Sequence, residues 1–481
     1  MIKGRLYSLN TYFLCLAGIF LLFALFAVFL SQYWIAIIPF GILLLYYSWQ
    51  NFQFIFFLLI LSLPWSIEYS FNSSLGTDLP DEPFMLLIAG LFLAKVFYKN
   101  SAESKTLGHP LIFLISLYFG WIMVTVPFST DWFVSLKFLL AKTWYLLAFV
   151  FMPLLIFKNR ESIKIAGGGL LISMLIVVII VLCRHASHGF RFSEINVAVS
   201  PFFRNHVNYS AMLVCMVPIL IATYQISKKH RILIALMVII VVAALILSYA
   251  RGAWLALLVG LISYWLVNRQ KLLLAFIASV ILTIAAAFWL GQNDRYLSYS
   301  NDYKTTIFHT NFREHLIATY RLKDLSTAER LNRWVAGVRM IKDNWLMGYG
   351  PNTFYNNYKP YTIPVFKTWV SDNKEHSTVH NYFLFVFIEQ GIPGLLFFLL
   401  LTGGMLYYSE KLYKRIQDRF YKAVTMGCGV MIMMILAVNF LSDLVESDKV
   451  GSLFFLCAAT LISVDLNARK KINHLQGQEE L

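Results

Sequence analysis

The sequence predicts an all-α polytopic integral membrane protein, with about 12–14 transmembrane helices and one large extracytoplasmic loop that contains helices. Of its 481 residues, 59% are hydrophobic and only 14% are charged, whereas soluble domains are about half apolar and about a quarter charged. Apolar runs of spanning length recur along most of the chain, and one long polar segment interrupts them. These three observations argue against a soluble multidomain protein of the same length.

The apolar runs define fourteen candidate spans, a few of them short enough to be re-entrant or merged. They lie at residues 11–30, 33–49, 53–66, 84–98, 110–127, 136–157, 164–183, 207–226, 232–250, 254–268, 272–290, 380–409, 423–441 and 450–466. Four regions follow. Residues 1–290 form the N-terminal part of the bundle, 291–379 the large loop, 380–466 the C-terminal part of the bundle, and 467–481 a cytoplasmic tail.

The basic residues set the orientation of the chain, which has a formal net charge of +15. Alternate short connections carry Lys and Arg, whereas the opposing loops at 67–83 and 128–135 carry neither. The positive-inside rule therefore places both termini in the cytoplasm and the large loop outside. A nucleic-acid partner is not indicated, because no basic aromatic stripe or nucleic-acid motif is present. The five cysteines lie in or beside apolar runs without metal-ligand spacing, and we interpret them as small buried residues.

The large loop carries one helical pattern. Ser326 and Glu329 have the spacing of a capping box. Apolar residues recur at helical spacing behind them, at Leu331, Trp334, Val335, Val338, Ile341 and Trp345. An amphipathic helix of this kind lies on the membrane or on the bundle, and the Gly-Tyr-Gly-Pro turn at 348–351 ends it.

Two arginines are candidate phosphate ligands at the outer face. Arg251 lies where two apolar segments meet, and Gly252 beside it permits a tight reversal or a broken helix. Position alone slightly favours an Arg that snorkels to lipid phosphates. Arg330, with Arg333 one turn later, offers planar guanidinium groups suited to bidentate phosphate binding. For a single such residue, the solvated face of an amphipathic helix is the usual explanation.

His380 lies where the large loop re-enters the membrane. A His at a wet membrane edge can act as a general base near neutral pH, and a polar residue bonded to backbone at a helix start is an equally good interpretation. Further along, Gly391 and Gly394 flank Pro393 and predict a break in the helix with an architectural role. Lys142 lies inside a span, where a Lys is a functional candidate.

Two Arg and one His thus come to one face of the membrane around one loop. A transferase acting on a polyprenyl diphosphate needs two cations to bind the leaving group and a neutral His to deprotonate an acceptor hydroxyl. The loop has no acidic cluster with metal-ligand spacing, so the cations could replace a divalent metal, and neither metal nor cofactor is expected. Activity should then fall on acidification through the range in which His is protonated.

At these residues the chain resembles the O-antigen ligase family, part of a larger group of ligases and polymerases. The matching motifs are Arg-x-x-x-Leu at 251–255, Glu-Arg followed by Trp at 329–334, Gly-x-Gly-x-x-x-Phe at 348–354, His380-Asn381, and Glu-x-Gly-x-x-Gly at 389–394. Arg204, in Arg-Asn-His-Val-Asn before a span, is a looser match. The first 180 residues match in hydropathy alone.

The resemblance implies that Arg251 and Arg330 contact a diphosphate and that His380 is the base. It implies transfer of a finished glycan from undecaprenyl diphosphate to lipid A–core, in the periplasm at a bacterial inner membrane, by an inverting, GT-C-like enzyme without nucleotide or metal. Second-tier site residues are Arg204, Arg333, His376, Asn381 and Lys142. Lys142 could face the donor phosphate or the acidic core of the acceptor.

Three transferase activities share this pattern and differ in the acceptor, which the sequence does not identify. They are a ligase to lipid A–core, an O-antigen or exopolysaccharide polymerase, and a protein O-oligosaccharyltransferase. A non-enzymatic transporter of lipid-linked glycans would instead need charged residues along a mid-span path and repeat symmetry. Neither is clear in the sequence. Membrane lipids are expected partners in every case.

Overall fold

A computed structural model describes residues 18–32, 35–36, 38–72, 75–99, 104–299, 325–368, 371 and 378–479. The helices, numbered in chain order, are α1 (Gly18–Phe29), α2 (Ile38–Gln50), α3 (Phe52–Ser62), α4 (Asp81–Lys99), α5 (Ser104–Leu107), α6 (Pro110–Thr125), α7 (Trp132–Leu146), α8 (Met152–Ile156), α9 (Arg160–Ser187), α10 (Ile195–Val199), α11 (His206–Ile226), α12 (Arg231–Leu247), α13 (Arg251–Arg269), α14 (Leu272–Gly291), α15 (Leu325–Asp343), α16 (Phe354–Asn357), α17 (Tyr382–Arg415), α18 (Arg419–Asn439) and α19 (Asp448–Glu479). A π-helical turn, Leu147–Phe151, joins α7 to α8. The strands are β1 (Ile67–Asn72) and β2 (Leu75–Leu79).

Within these described ranges, nine helical stretches are long and apolar enough to cross a membrane, which confirms the all-α polytopic class. The predicted spans at 33–49 and 53–66 are α2 and α3, which meet at a 117° bend and form one broken span or a re-entrant loop. Two further helices, α1 and α12, are apolar but shorter. The predicted tail at 467–481 continues α19 as far as Glu479. The first predicted span, 11–30, lies partly outside the described residues.

The centre of the bundle is formed by α11, α18 and α19. In their apolar stretches 67%, 78% and 83% of the residues are buried, compared with 28% in α13 and 11% in the stretch that contains α14. The contacts of α18 extend to α11, α13, α17 and α19. Helices α13 and α14 therefore lie at the periphery, where side chains such as Leu282 and Phe288 remain exposed.

The loop predicted at 67–83 contains the β1–β2 hairpin, which the sequence patterns did not indicate. The two strands are antiparallel, and their register pairs Ile67 with Leu79. Lys449 near the start of α19 donates from Nζ to the Ser66 carbonyl oxygen at 2.9 Å, directly before β1. The hairpin is thus tied to the centre of the bundle through its first strand.

The amphipathic helix predicted in the large loop is α15, and it packs on α17. The predicted capping box is wrong, because Ser326 lies inside the described helix and the Glu329 carboxylate pairs with Arg333 at 3.1 Å. The buried face of α15 combines small and polar residues, among them Ala336 and Gly337, with the apolar side chain of Met340. Gly337 lets α15 approach α17 closely, because a Cβ at this position would lie 2.6 Å from Ile388 Cδ1.

The Gly-rich turn after α15 docks on the predicted break in α17. Gly391 has a φ of +69°, which interrupts the helix, and a Cβ at this position would lie 2.0 Å from the Leu346 carbonyl oxygen. The buried Glu389 carboxylate accepts the backbone N–H groups of Asn352 at 2.6 Å and Phe354 at 3.0 Å. The glycines and the glutamate of these motifs therefore join the large loop to the bundle.

Candidate functional site

A cavity of about 840 Å³ opens at one end of the bundle, between α11, α13, α14, α15 and the end of α18. This volume is within the range of small-molecule sites, about 300–1,000 Å³. Both predicted phosphate ligands line it, Arg251 from α13 and Arg330 from α15. Much of the remaining wall is apolar and includes Trp289, Leu290 and Trp334. The fold thus brings two cations that are far apart in sequence to one largely apolar cavity.

Two helices begin at this cavity and add to its preference for anions. The first is α11, whose start is capped by the Asn205 side chain, which accepts the backbone N–H groups of Val207 and Asn208 at 3.0 Å. Its first residue, His206, lines the cavity. The second is α13, which begins at Arg251. Helix N-termini carry partial positive charge, so both helices add to the positive potential of the two guanidinium groups, although the first N–H groups of α11 already donate to Asn205 and Asn196.

Arg251 is positioned by a left-handed residue rather than by the glycine that follows it. Tyr249 has a φ of +57° and reverses the chain between α12 and α13. Its hydroxyl donates to the Phe190 carbonyl oxygen at 2.6 Å, which holds the turn. Gly252, predicted to permit the reversal, lies inside the first turn of α13, where a Cβ would meet only an ordinary contact. The tight reversal therefore exists, but Tyr249 makes it.

Arg330 and Arg333 have different surroundings although they are one turn apart. Arg330 lines the cavity, and its Nη1 donates to the Ser326 hydroxyl at 2.7 Å. Arg333 is buried, and it donates to Glu329 Oε2 and to the Thr378 carbonyl oxygen, both at 3.1 Å. Arg333 therefore anchors α15 to the segment that precedes α17. It was predicted as a weaker candidate ligand, but it does not line the cavity.

His380 lies directly before α17, beside the cavity wall. Its backbone has a φ of +53°, and its side chain is 37% exposed. Nδ1 is 3.8 Å from Asp443 Oδ1, which is an ion-pair distance and too long for a hydrogen bond. Ser442, the neighbour of Asp443, lines the cavity. His380 itself is not a wall residue, and it approaches the cavity through Asp443, the sequence neighbour of the wall residue Ser442.

Asp443 is the functional candidate that the sequence interpretation missed. Burial raises the pKa of its carboxyl, but the His380 imidazole and the Thr378 hydroxyl outweigh burial and hold that pKa below its ordinary value. Asp443 is therefore a carboxylate at neutral pH and stabilises positive charge on the imidazole ring. The available signal was an acidic residue in the short connection between the last two predicted spans.

The peptide groups on both sides of His380 are held in place. Trp334, which lines the cavity, donates from Nε1 to the Val379 carbonyl oxygen at 3.0 Å. Asn381 caps α17 by accepting a backbone N–H of the first turn at 3.0 Å, and its Nδ2 donates to the Phe440 carbonyl oxygen at 3.1 Å. Asn381 is therefore a positioning residue for the histidine.

Lys142 is buried in a separate polar network. Its Nζ lies 2.7 Å from Glu446 Oε2, and Oε1 of the same carboxylate accepts the Tyr382 hydroxyl at 2.6 Å. The hydroxyls of Tyr382 and Tyr118 are 3.2 Å apart. Lys142 therefore links α7 to the residue that follows His380-Asn381 in sequence, and it does not line the cavity.

Two other second-tier residues are not joined to the cavity. Arg204 is exposed and outside the cavity wall, and a nearby charge is the Asp78 carboxylate in β2. His376 lies outside the described residues. In the part of the chain that the structure describes, no group of three or more His, Cys, Asp or Glu side chains is arranged to hold a metal ion.

The fold and this site define a multi-pass membrane protein with a cationic, largely apolar cavity at one end of its helical bundle. A family model described as O-antigen ligase matches residues 235–399, which include Arg251, Arg330 and His380. The chain is similar to the O-antigen ligase of Salmonella typhimurium, with 25% identity over 218 residues. That match covers 44% of this chain and 49% of the relative, so it spans about half of the relative's length. Both findings support the assignment of this chain to the O-antigen ligase family.

Proposed function

We propose that this chain is an O-antigen ligase-like glycosyltransferase, which moves a glycan from undecaprenyl diphosphate to a hydroxyl of lipid A–core. The observation that carries this proposal is the cavity that Arg251 and Arg330 share. It combines positive charge, which a diphosphate needs, with an apolar wall suited to a polyprenyl chain. The family match over residues 235–399 supports the same reaction class.

The proposed setting is a bacterial inner membrane, with the cavity at the periplasmic end and both termini in the cytoplasm. Two helices that begin at the cavity end in basic residues at the other end of the bundle. The turn after α11 contains Lys228 and Lys229, and α13 ends at Arg269. This distribution agrees with the positive-inside rule and supports the orientation.

In the proposed reaction, His380 removes the proton of the acceptor hydroxyl as its oxygen attacks the anomeric carbon. The new carbon–oxygen bond forms while the bond from the anomeric carbon to the diphosphate oxygen breaks. The electron pair of that bond leaves with the diphosphate, where Arg251 and Arg330 stabilise the developing charge. The proton remains on His380, whose imidazolium Asp443 stabilises. This direct displacement inverts the anomeric carbon, and the guanidinium groups take the place of a divalent metal.

A transfer assay with the purified full chain tests the proposal. The donor is an undecaprenyl diphosphate-linked glycan, the acceptor is lipid A–core, and EDTA is present throughout. His380→Asn is the informative variant, because Asn tolerates the left-handed backbone of His380 but offers no basic nitrogen. We expect its rate to be about 10²–10⁴-fold below wild type. His230→Ala, in the turn at the other end of α11, is the matched control and should keep full activity.

Each alternative product identifies a different acceptor. Longer glycans on undecaprenyl diphosphate, without transfer to lipid A–core, would make the protein a polymerase. Transfer to a protein hydroxyl would make it a protein O-oligosaccharyltransferase. A requirement for added divalent metal, or an unchanged rate in folded His380→Asn, would contradict the proposed mechanism. Absence of transfer to all three acceptors would contradict a transferase function and favour transport.

A further inference from the structure

A second cavity lies at the opposite end of α11 and α18 from the candidate active site. It has a volume of about 540 Å³ and lies between α9, α11, α18 and α19. Along α18 its wall runs from Phe420 to Met431, a length of about 16 Å at the 1.5 Å rise per residue of an α-helix. We call this cavity the basic-end crevice.

The wall of the basic-end crevice is apolar and partly formed by glycine. Gly167 and Gly168 of α9 leave room along one side, and a Cβ added at Gly168 would meet no atom within 4 Å. The opposite side is formed by side chains such as Met431 and Leu453. An apolar space of this length suits a linear hydrocarbon chain.

Lys164 lies at the mouth of the basic-end crevice. It lines the cavity, and its Nζ is 5.7 Å from the centre of the Phe420 ring. Its side chain is about half exposed, so it can meet a headgroup. The nearest acidic partner is Glu161 at 3.6 Å, and that side chain is 70% exposed. Such an exposed pair is weak and does not neutralise the mouth.

The rest of the mouth is also basic. Three segments surround it, at residues 158–164, 227–231 and 418–422, and together they contain eight Lys or Arg and two acidic residues. One of those acids, Asp418, is paired with Arg160. The excess of positive charge beside an apolar space matches a molecule with a negative headgroup and a hydrocarbon tail.

We propose that the basic-end crevice binds an anionic diacyl phospholipid, with one acyl chain along the apolar wall and the phosphate at Lys164. Basic pockets between transmembrane helices recognise anionic headgroups in this way. A zwitterionic lipid would gain the same apolar contacts without the charge attraction. The site is independent of the proposed transfer reaction, because its residues lie at the other end of the bundle from the candidate active site.

Lipid competition, measured by native mass spectrometry on the full chain, tests the site. Protein stripped of lipid in detergent is exposed to equimolar phosphatidylglycerol and phosphatidylethanolamine with identical acyl chains. We expect bound phosphatidylglycerol to exceed phosphatidylethanolamine at least about fivefold, the ratio for one Lys close to an anionic headgroup. Lys164→Ala should abolish most of this preference. Lys271→Ala removes the same charge at the same end, outside the crevice, and should leave it unchanged.

A second pair of variants tests the crevice rather than its charge. Gly168→Leu fills open space in the wall, so phosphatidylglycerol retention should fall, whereas Gly120→Leu adds the same side chain at another open position and should not change it. Melting temperatures close to that of the wild type would establish that both variants are folded. Equal retention of the two lipids, equal losses in Lys164→Ala and Lys271→Ala, or full retention in Gly168→Leu would overturn the proposal. The proposal would also be overturned if the protein forms a dimer that does not depend on phosphatidylglycerol and that Gly168→Leu disrupts, because a second copy of the chain would then occupy the crevice.

Discussion

The two cavities share α11 and α18 as walls, yet they are built in different ways. Tyr249, which lines the candidate active site, has a positive φ, and so does His380, which lies outside the wall. Of the described residues that line the basic-end crevice, none has a positive φ. A non-glycine residue in this conformation costs roughly 1–3 kcal/mol and persists when its surroundings hold it. Positive φ therefore distinguishes the surroundings of the candidate active site from the wall of the crevice, although Gln270, outside that wall, also has a positive φ at the basic end.

The charged side chains at the two ends also differ, because those near the candidate active site are buried and paired whereas the lysine at the crevice is half exposed. Near the active site, Arg333 pairs with Glu329 and Lys142 pairs with Glu446, and these four side chains are largely buried. At the crevice, Lys164 is half exposed. Removing one partner of a buried pair is far more damaging than removing an exposed charge. One end is thus suited to orienting a reaction, and the other to holding a lipid that exchanges.

The largest expected difference between the two ends is found on α13, which has an arginine at each terminus. Arg251→Ala should lower kcat for transfer about 10²–10³-fold, because it removes a donor to the charge that develops on the leaving group. Arg269→Ala should change kcat less than about twofold, as for an ordinary surface substitution. Initial rates of both variants measure this. Equal losses would show that the cationic cavity is not the reaction site.

A smaller difference is expected between two glycine substitutions, one at each end. Gly391→Ala should lower the free energy of unfolding by more than about 2 kcal/mol, because Ala resists a positive φ and its Cβ would overlap the Leu346 carbonyl oxygen. Gly168→Ala enters open space in a helix and should be neutral or stabilise by up to about 1 kcal/mol. Thermal unfolding in one detergent compares them. A wild-type melting temperature for Gly391→Ala would mean that the joint between the large loop and α17 is not rigid.

The smallest of these effects is expected at Asp443 and is most informative as a pH dependence. Its lowered pKa means that its stabilising charge is fully present above about 3.9, the ordinary value, and is lost only as the pH falls further. A rate that begins to fall at a higher pH than this therefore reports a group other than Asp443, which the proposed mechanism takes to be the base. Asp443→Asn should lower kcat about tenfold and move this acid limb to lower pH, because the imidazolium loses its counter-charge.

Profiles of kcat against pH for wild type and Asp443→Asn provide the measurement. Asp418→Asn, which removes a carboxylate at the crevice end, is the control and should leave both the rate and the limb unchanged. If the wild-type and Asp443→Asn limbs coincide, Asp443 has no action on the base.

Most of the fold could be predicted from the sequence. A helix in lipid must form all its backbone hydrogen bonds internally, so a spanning helix is recognisable as a long apolar run. The angle between two successive helices cannot be read from such apolar runs. The α2–α3 bend of 117° therefore separates two runs that look like successive spans. The β1–β2 hairpin was missed for a related reason, since Lys449 supports it from far along the chain.

The candidate site could be predicted in part. Arg251, Arg330 and His380 are recognisable because charge at a membrane edge is costly and because their motifs have a set order. The roles of Arg330 and Arg333 diverge only when α15 packs on α17, which buries the second and leaves the first in the cavity wall. Asp443 meets His380 only after the connection between α18 and α19 folds back on α17.

Trp334 touches both halves of the proposed chemistry. Its indole ring is part of the cavity wall, and its N–H holds the peptide that precedes His380. If a donor in the cavity displaces this ring, we expect the Val379 peptide bonded to it, and with it the backbone of His380, to move as well. Since Trp334 is one of twelve tryptophans, the part of the tryptophan fluorescence that is lost in Trp334→Phe would report this movement.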